Sequence, residues 1–282
     1  MKNTWGDLLL TDYKNMETKP LSIMQCVGVL IVFYILFFIA MVIYFLSGVI
    51  FSSIFRDVTA VAWLSFPIFA LMLYLITRFM INKNLIPNVK FQREKVSIKY
   101  YFLVLFMVLG LYLISTATIY RVTPYLPDFN FNYSNTNVQV GNIKLISCIN
   151  TILIFPIVEE VIFRRIMLRG LTKKYTIKHA LIASSLIFAI YHISLQQSIN
   201  VFATGLFFGF IYLKKSSLKL CITAHGFHNL ICTVNERFTY IQLNNIEYLG
   251  VFILGVLIMA TALKYFIATT EDSSKPLECN IE

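Results

Sequence analysis

Charge is scarce in this chain. Only 13% of its 282 residues are Asp, Glu, Lys or Arg, and 58% are hydrophobic. Mean hydropathy is +0.73. A soluble domain carries about 25% charged residues, so a large solvated surface is excluded. Cysteine is sparse as well. Cys26, Cys148, Cys221, Cys232 and Cys279 form no CxxC pair and no spaced framework. They read as apolar packing residues or free thiols, not as structural disulfides or a zinc–thiolate site. The net charge of +10 does not point to nucleic acid. The basic residues sit in short loops between apolar runs, and no nucleic-acid module is recognisable. Internal repeats and low-complexity segments are also lacking.

What the chain does have is apolar length. A helix needs roughly 20 mostly apolar residues to cross the hydrocarbon, and that length recurs along the sequence. The expectation is an all-α, polytopic membrane protein with about eight transmembrane helices. Residues 20–55 carry no charge and hold the first span, near 22–46, with Ser47-Gly48 marking its end. Before it, Lys2, Lys14 and Lys19 mix with Asp7, Asp12 and Glu17, unlike a cleavable signal. The second and third spans fall at 58–77 and 100–120. A fourth follows Lys144. Residues 179–213 lack Lys, Arg, Asp and Glu, and the polar patch Ser194–Asn200 divides them into a fifth and a sixth. The seventh covers about 220–235 and the eighth about 248–268.

Loops 78–99, 164–178 and 214–219 are basic, and loops 121–143, 194–200 and 236–247 are not. Eight spans put the basic loops on one side, which the positive-inside tendency makes the cytoplasm. Both termini then lie there, at a cell membrane. Three regions follow: 1–143 with three spans, 144–235 with the unusual polar residues, and 236–282 with the last span and tail. Gly205 and Gly209 form a GxxxG pair, read as close helix packing.

The fourth span is odd. From 145 to 158 it is mostly apolar, which covers only about 21 Å of helix, and then come Glu159 and Glu160. The basic cluster from Arg164 to Lys178 marks the membrane edge, so both glutamates lie below the surface. Ionisable residues at that depth cost a few kcal/mol or more and face a partner or a wet cavity. Glu160 and Arg164 are four apart and can pair on one helix face. Glu159 points about 100° away and lacks that cation. An unpaired carboxylate in an apolar setting suits general acid–base work near neutral pH. The bland alternative is an ion pair that locks two helices.

The fifth span ends in Phe188-Ala-Ile-Tyr-His192, and the seventh holds His225-Gly-Phe-His228-Asn229. His225 and Asn229 share a face and can hydrogen-bond a carbonyl oxygen or its developing oxyanion. His228 sits beside that face. Singly, each is more simply a hydrogen-bonded core residue or interhelical polar glue. Together, two carboxylates, two or three imidazoles and an amide fit a water-activating hydrolytic site.

EExxxR, then FxxxH, then HxxxN on successive apolar spans resembles the CAAX protease and bacteriocin-processing family. That family includes the eukaryotic Ras-converting CAAX endopeptidase and many bacterial intramembrane proteins. The resemblance covers about residues 144–235. It implies that Glu159 activates water, His192 helps hold that water, and His225 and Asn229 stabilise the oxyanion. Glu160 and Arg164 would be an accompanying pair. A zinc ion on Glu159, His192 and His225 and a metal-free mechanism both remain open, with the balance toward the metal-free one. Other protease chemistries lack their signatures: there is no HExxH, no GxSxG and no aspartate within a predicted span. Ser194 lies near His192 but has no acid beside it.

The expected activity is endopeptidase cleavage of small hydrophobic or membrane-associated peptides or precursors, such as a bacteriocin or pheromone. A prenylated substrate ranks lower, because the Lys-, Asn-, Ile- and Phe-rich composition is compatible with an AT-rich bacterial genome. Two rival classes stand beside it. One is a non-catalytic membrane scaffold or bacteriocin-immunity factor, with a sensor kinase as a partner. The other is a proton-coupled transporter, which the absence of matching inverted halves disfavours. Besides the peptide and the lipid bilayer, no nucleic-acid partner is expected.

Overall fold

The computed structural model describes residues 20–55, 71, 74, 75, 78, 96–122, 125, 126, 148–238 and 243–272. Most of the expected second span, most of the loop 121–143, and Cys279 lie outside these residues. Among the described residues every regular element is helical and there is no strand, as the apolar periodicity predicts.

Helix α1 covers Ile23–Phe55. It runs past Ser47-Gly48, so those residues do not end it. Helix α2 covers Ile98–Ala117 and continues in one more turn, Ile119–Val122. Next comes a mixed run, here α3. It has π-helical turns at Asn150–Ile154, α-helix at Phe155–Glu160, π-helical turns again at Val161–Leu168, and α-helix at Arg169–Thr172. Then follow α4 (Ile177–Tyr191), α5 (Leu195–Lys215), α6 (Leu218–Phe238) and α7 (Asn245–Asp272).

Small polar residues set the helix starts. Thr176 caps α4 by accepting from the His179 N–H, and Ser194 caps α5 by accepting from the Gln197 N–H. Such caps satisfy amide donors that a helix start leaves open. The expected polar break at Ser194–Asn200 is therefore shorter than read. The chain breaks at His192–Ser194, and Gln196 to Asn200 already belong to α5, whose start they make hydrophilic. Ser216, in the left-handed region at φ 50, ends α5, and Ser217 accepts from the Leu220 N–H to start α6.

α7 packs along α2, α4 against α5, and α6 against α2, α5 and α3. Gly110 and Gly255 permit the closest approach of α2 and α7. A Cβ on Gly110 would lie 2.9 Å from the Gly255 carbonyl oxygen. Small residues at such a crossing are how helices approach closely in lipid. Gly205 and Gly209 likewise face α4, where a Cβ would press on Ser185 and Leu181, in keeping with the packing reading. Among the described residues, two helical stretches, Ile98–Val122 and Asn245–Thr270, are long and apolar enough to cross a membrane. Phe38, Phe45, Phe102, Phe106, Leu254 and Leu257 point their side chains outward. So many exposed large apolar groups require an apolar surrounding. The buried core of Phe163, Phe188, Phe208, Met167, Leu168 and Ala224 lies where α3, α4, α5 and α6 meet.

Candidate active site

The second π-helical stretch begins directly after Glu160. π-helical turns are rare and occur mostly at functional sites. Glu160 and Arg164 still pair across it: Arg164 Nε donates to Glu160 Oε2 at 3.0 Å, with both side chains fully buried. The Arg164 guanidinium also lies over the Phe188 ring, 4.9 Å from its centroid.

His225 from α6 reaches both glutamates. Its Nδ1 is 2.9 Å from Glu160 Oε1, and its Nε2 is 3.6 Å from Glu159 Oε2. Glu159 thus has no Arg or Lys partner of its own among the described residues, but it does face an imidazole. Phe208 stacks on the His225 ring at 5.0 Å, and Phe188 meets its edge at 5.9 Å. Aromatic walls on two sides fix the ring between the carboxylates.

His192, at the end of α4, is held by its Nδ1 at 3.0 Å from the Phe188 carbonyl oxygen. A carbonyl only accepts, so Nδ1 carries the hydrogen. In the neutral ring Nε2 is then the lone-pair site. Glu159, His192, His225 and Asn229 line one cavity of about 800 Å³. The mixed α3 and the end of α4 at Tyr191 bring Glu159 and His192 to the same cavity. Glu160 and Arg164 lie behind its wall.

Asn229 has a structural task that the sequence reading did not assign. In the first π-helical stretch the Phe155 N–H bonds the Asn150 carbonyl. The donor for the Thr151 carbonyl in that register would come from residue 156. That residue is Pro156, which has no N–H. Asn229 Nδ2 supplies the bond instead, at 2.8 Å. Gly226, one turn earlier on α6, faces the neighbouring Ile152 carbonyl, where a Cβ would come within 2.6 Å. The proline three residues before Glu159 was the sequence signal for this arrangement.

Several cavity residues were missed outright. Tyr191 lines the cavity together with Glu159, and its backbone carbonyl accepts from the Tyr34 hydroxyl of α1. No motif reaches back to residue 34. His228, left without a role, lines the same cavity. Its Nδ1 is 3.9 Å from Cys232 Sγ, and its Nε2 is buried without a hydrogen-bond partner among the described residues. Ile193 takes a positive φ of 62°. A β-branched residue there is an outlier, and such strain costs about 1–3 kcal/mol.

The donors do not fit a complete zinc site. Glu159 and His225 present neighbouring atoms, but among the described residues no three His, Cys, Asp or Glu side chains converge closely enough to hold a metal. Cys26, Cys148, Cys221 and Cys232 form no disulfide among the described residues.

Residues 141–231 match the family model described as Type II CAAX prenyl endopeptidase Rce1-like. All six motif residues, from Glu159 to Asn229, fall inside that segment. An 88-residue stretch is 36% identical to an uncharacterized protein of Mycoplasma capricolum, covering 30% of this chain and 25% of that protein. An 81-residue stretch is 33% identical to the "Putative membrane peptidase YdiL" of Bacillus subtilis, covering 29% of this chain and 33% of that protein. The chain thus spans a quarter to a third of the length of these relatives. No solved structure matches the chain significantly.

Proposed function

We propose that this chain, whose residues 141–231 belong to the Rce1-like CAAX endopeptidase family, is a multi-pass membrane endopeptidase that hydrolyses peptides by activated water. The observation that carries the reading is His225 between Glu159 and Glu160, on the wall of a cavity that also holds His192 and Asn229. Glu159 takes a proton from water, and His192 holds that water through Nε2. The hydroxide attacks the peptide carbonyl, and His225 and Asn229 stabilise the oxyanion. Asn229 keeps one amide hydrogen for this task while the other serves Thr151. For His225 to donate from Nε2 while Nδ1 stays on Glu160, the ring carries both protons, and Glu160 is its counter-charge. Glu159 then returns its proton to the leaving amine. Glu160 and Arg164 act as positioning residues.

The substrates are small hydrophobic or membrane-associated peptides or precursors, at a cell membrane with the basic loops cytoplasmic. In this proposal Glu159 and His192 activate the water directly, without a metal. The test is cleavage of a hydrophobic peptide library by purified protein. Wild type cleaves, Glu159→Ala and His192→Ala do not, and a chelator changes nothing. Cleavage that persists in both variants refutes the site. Loss with the chelator, restored by zinc, refutes the metal-free mechanism.

A further inference from the structure

Between His192 and Ser194 the chain makes a turn with a chemical oddity. The Ser194 N–H donates to the His192 carbonyl at 2.6 Å, and Ile193 in the middle has φ 62°. A three-residue turn with positive φ is the rare, strained form. Glycine adopts it without penalty, and asparagine tolerates it. Isoleucine is among the residues least suited to it. A badly placed backbone can be compensated when the side chain packs in the core. That does not happen here, because Ile193 is 73% exposed. Yet Ile193 also lines the cavity that contains Glu159, His192 and His225. An exposed residue on a cavity wall stands at the mouth. A large aliphatic group is therefore held at the entrance, one residue from His192, with little protein to pack against.

We infer that Ile193 is a specificity-determining residue: its side chain forms an apolar lip on which a hydrophobic residue of the substrate docks beside His192. This rests on the peptidase reading above. The aliphatic surface selects an apolar substrate side chain over a charged one, because a charged group docked there would lose water without gaining a partner. The strained turn fixes the lip and the His192 ring in one rigid unit.

The experiment uses Glu159→Gln protein, with and without Ile193→Gly, in detergent. The probes are fluorescein-labelled Ala/Gly decapeptides with one central Leu or Lys, and the readouts are Kd and Tm. Ile193→Gly is expected to weaken the Leu peptide about five- to tenfold, or about 1–1.4 kcal/mol. The Lys peptide should change little. Relief of the strained turn should raise Tm by about 2–4 °C. Ile193→Val keeps a lip and stays near the parent affinity. Equal affinity for the Leu peptide with and without Ile193, as a merely lipid-facing residue would give, overturns the inference. So does a lower Tm for Ile193→Gly, or no peptide binding by either protein. Unimpaired cleavage by Glu159→Gln protein would instead defeat the mechanism, and the Kd comparison would still judge the lip.

Discussion

If Asn229 replaces the donor that Pro156 lacks, its structural and catalytic roles can be separated. Asn229→Leu removes the 2.8 Å bond to the Thr151 carbonyl. A partly buried carbonyl left without a partner costs about 1–2 kcal/mol. At roughly 2–4 °C per kcal/mol, Tm should fall by about 2–8 °C. Pro156→Ala restores an N–H at the position where the π-helical register needs one. In that background Thr151 regains a backbone donor, and Asn229→Leu should cost less than about 0.5 kcal/mol. The coupling, about 1 kcal/mol, is read from a double-mutant cycle of thermal unfolding in detergent. Peptidase activity should behave differently. If Asn229 also meets the oxyanion, its loss lowers kcat by about 10²–10³ in both backgrounds. Equal thermal costs in the two backgrounds would refute the proline argument. Recovery of kcat by Pro156→Ala would refute the catalytic one and leave Asn229 as a helix clamp only.

Two further substitutions probe the buried framework. Arg164→Met leaves Glu160 without its guanidinium partner in a fully buried setting. The expected loss is about 3–5 kcal/mol in thermal unfolding, and the double variant Glu160→Gln/Arg164→Met should recover most of it; no recovery would mean that the pair is not the unit. Gly226→Ala places a Cβ within 2.6 Å of the Ile152 carbonyl oxygen. Pushing α6 off α3 should cost about 1–3 kcal/mol and lower kcat, because His225 moves with it. Unchanged Tm and activity would show that the contact is slack.

Which polar residues gather at the cavity was more legible in the sequence than how the helices bring them there. Glu160 with Arg164 was legible because a four-residue spacing survives in both α- and π-helical turns. His225 and Asn229 were legible as a pair because they share a helix face. Their actual partners were not, because contacts across helices leave no spacing in the sequence. The expectation that Glu159 lacks the Arg164 partner of Glu160 holds, but Glu159 does not stand alone: His225 is 3.6 Å away. The π-helical character of α3 was hidden, since hydropathy reports burial and not hydrogen-bond register. The end of α1 at Phe55, beyond Ser47-Gly48, shows the weakness of reading one glycine as a stop within apolar sequence. Two helices have the length and hydropathy of full spans. The apolar sequence of α5 and α6 is broken up by the polar residues that furnish the cavity, so hydropathy is weakest around the cavity.

One consequence concerns how α6 finds its register. Three successive features of its HGFHN segment meet α3 in different ways. His225 meets two carboxylates, Gly226 meets the Ile152 carbonyl, and Asn229 meets the Thr151 carbonyl. In the last two contacts the α3 partner is a main-chain carbonyl, whose position does not depend on an α3 rotamer. Together they fix the height and rotation of α6 against the α3 backbone. With that register set, His225 can only fall between Glu159 and Glu160. A slide of α6 by one residue rotates the imidazole about 100° away and at the same time leaves the Thr151 carbonyl without its donor. The carbonyls facing α6 from the turns around Pro156 thus act as the ruler for the distance between His225 and the two glutamates. Precision of a few tenths of an ångström is drawn from main-chain geometry, on rigid elements, where a site of this kind has to be built.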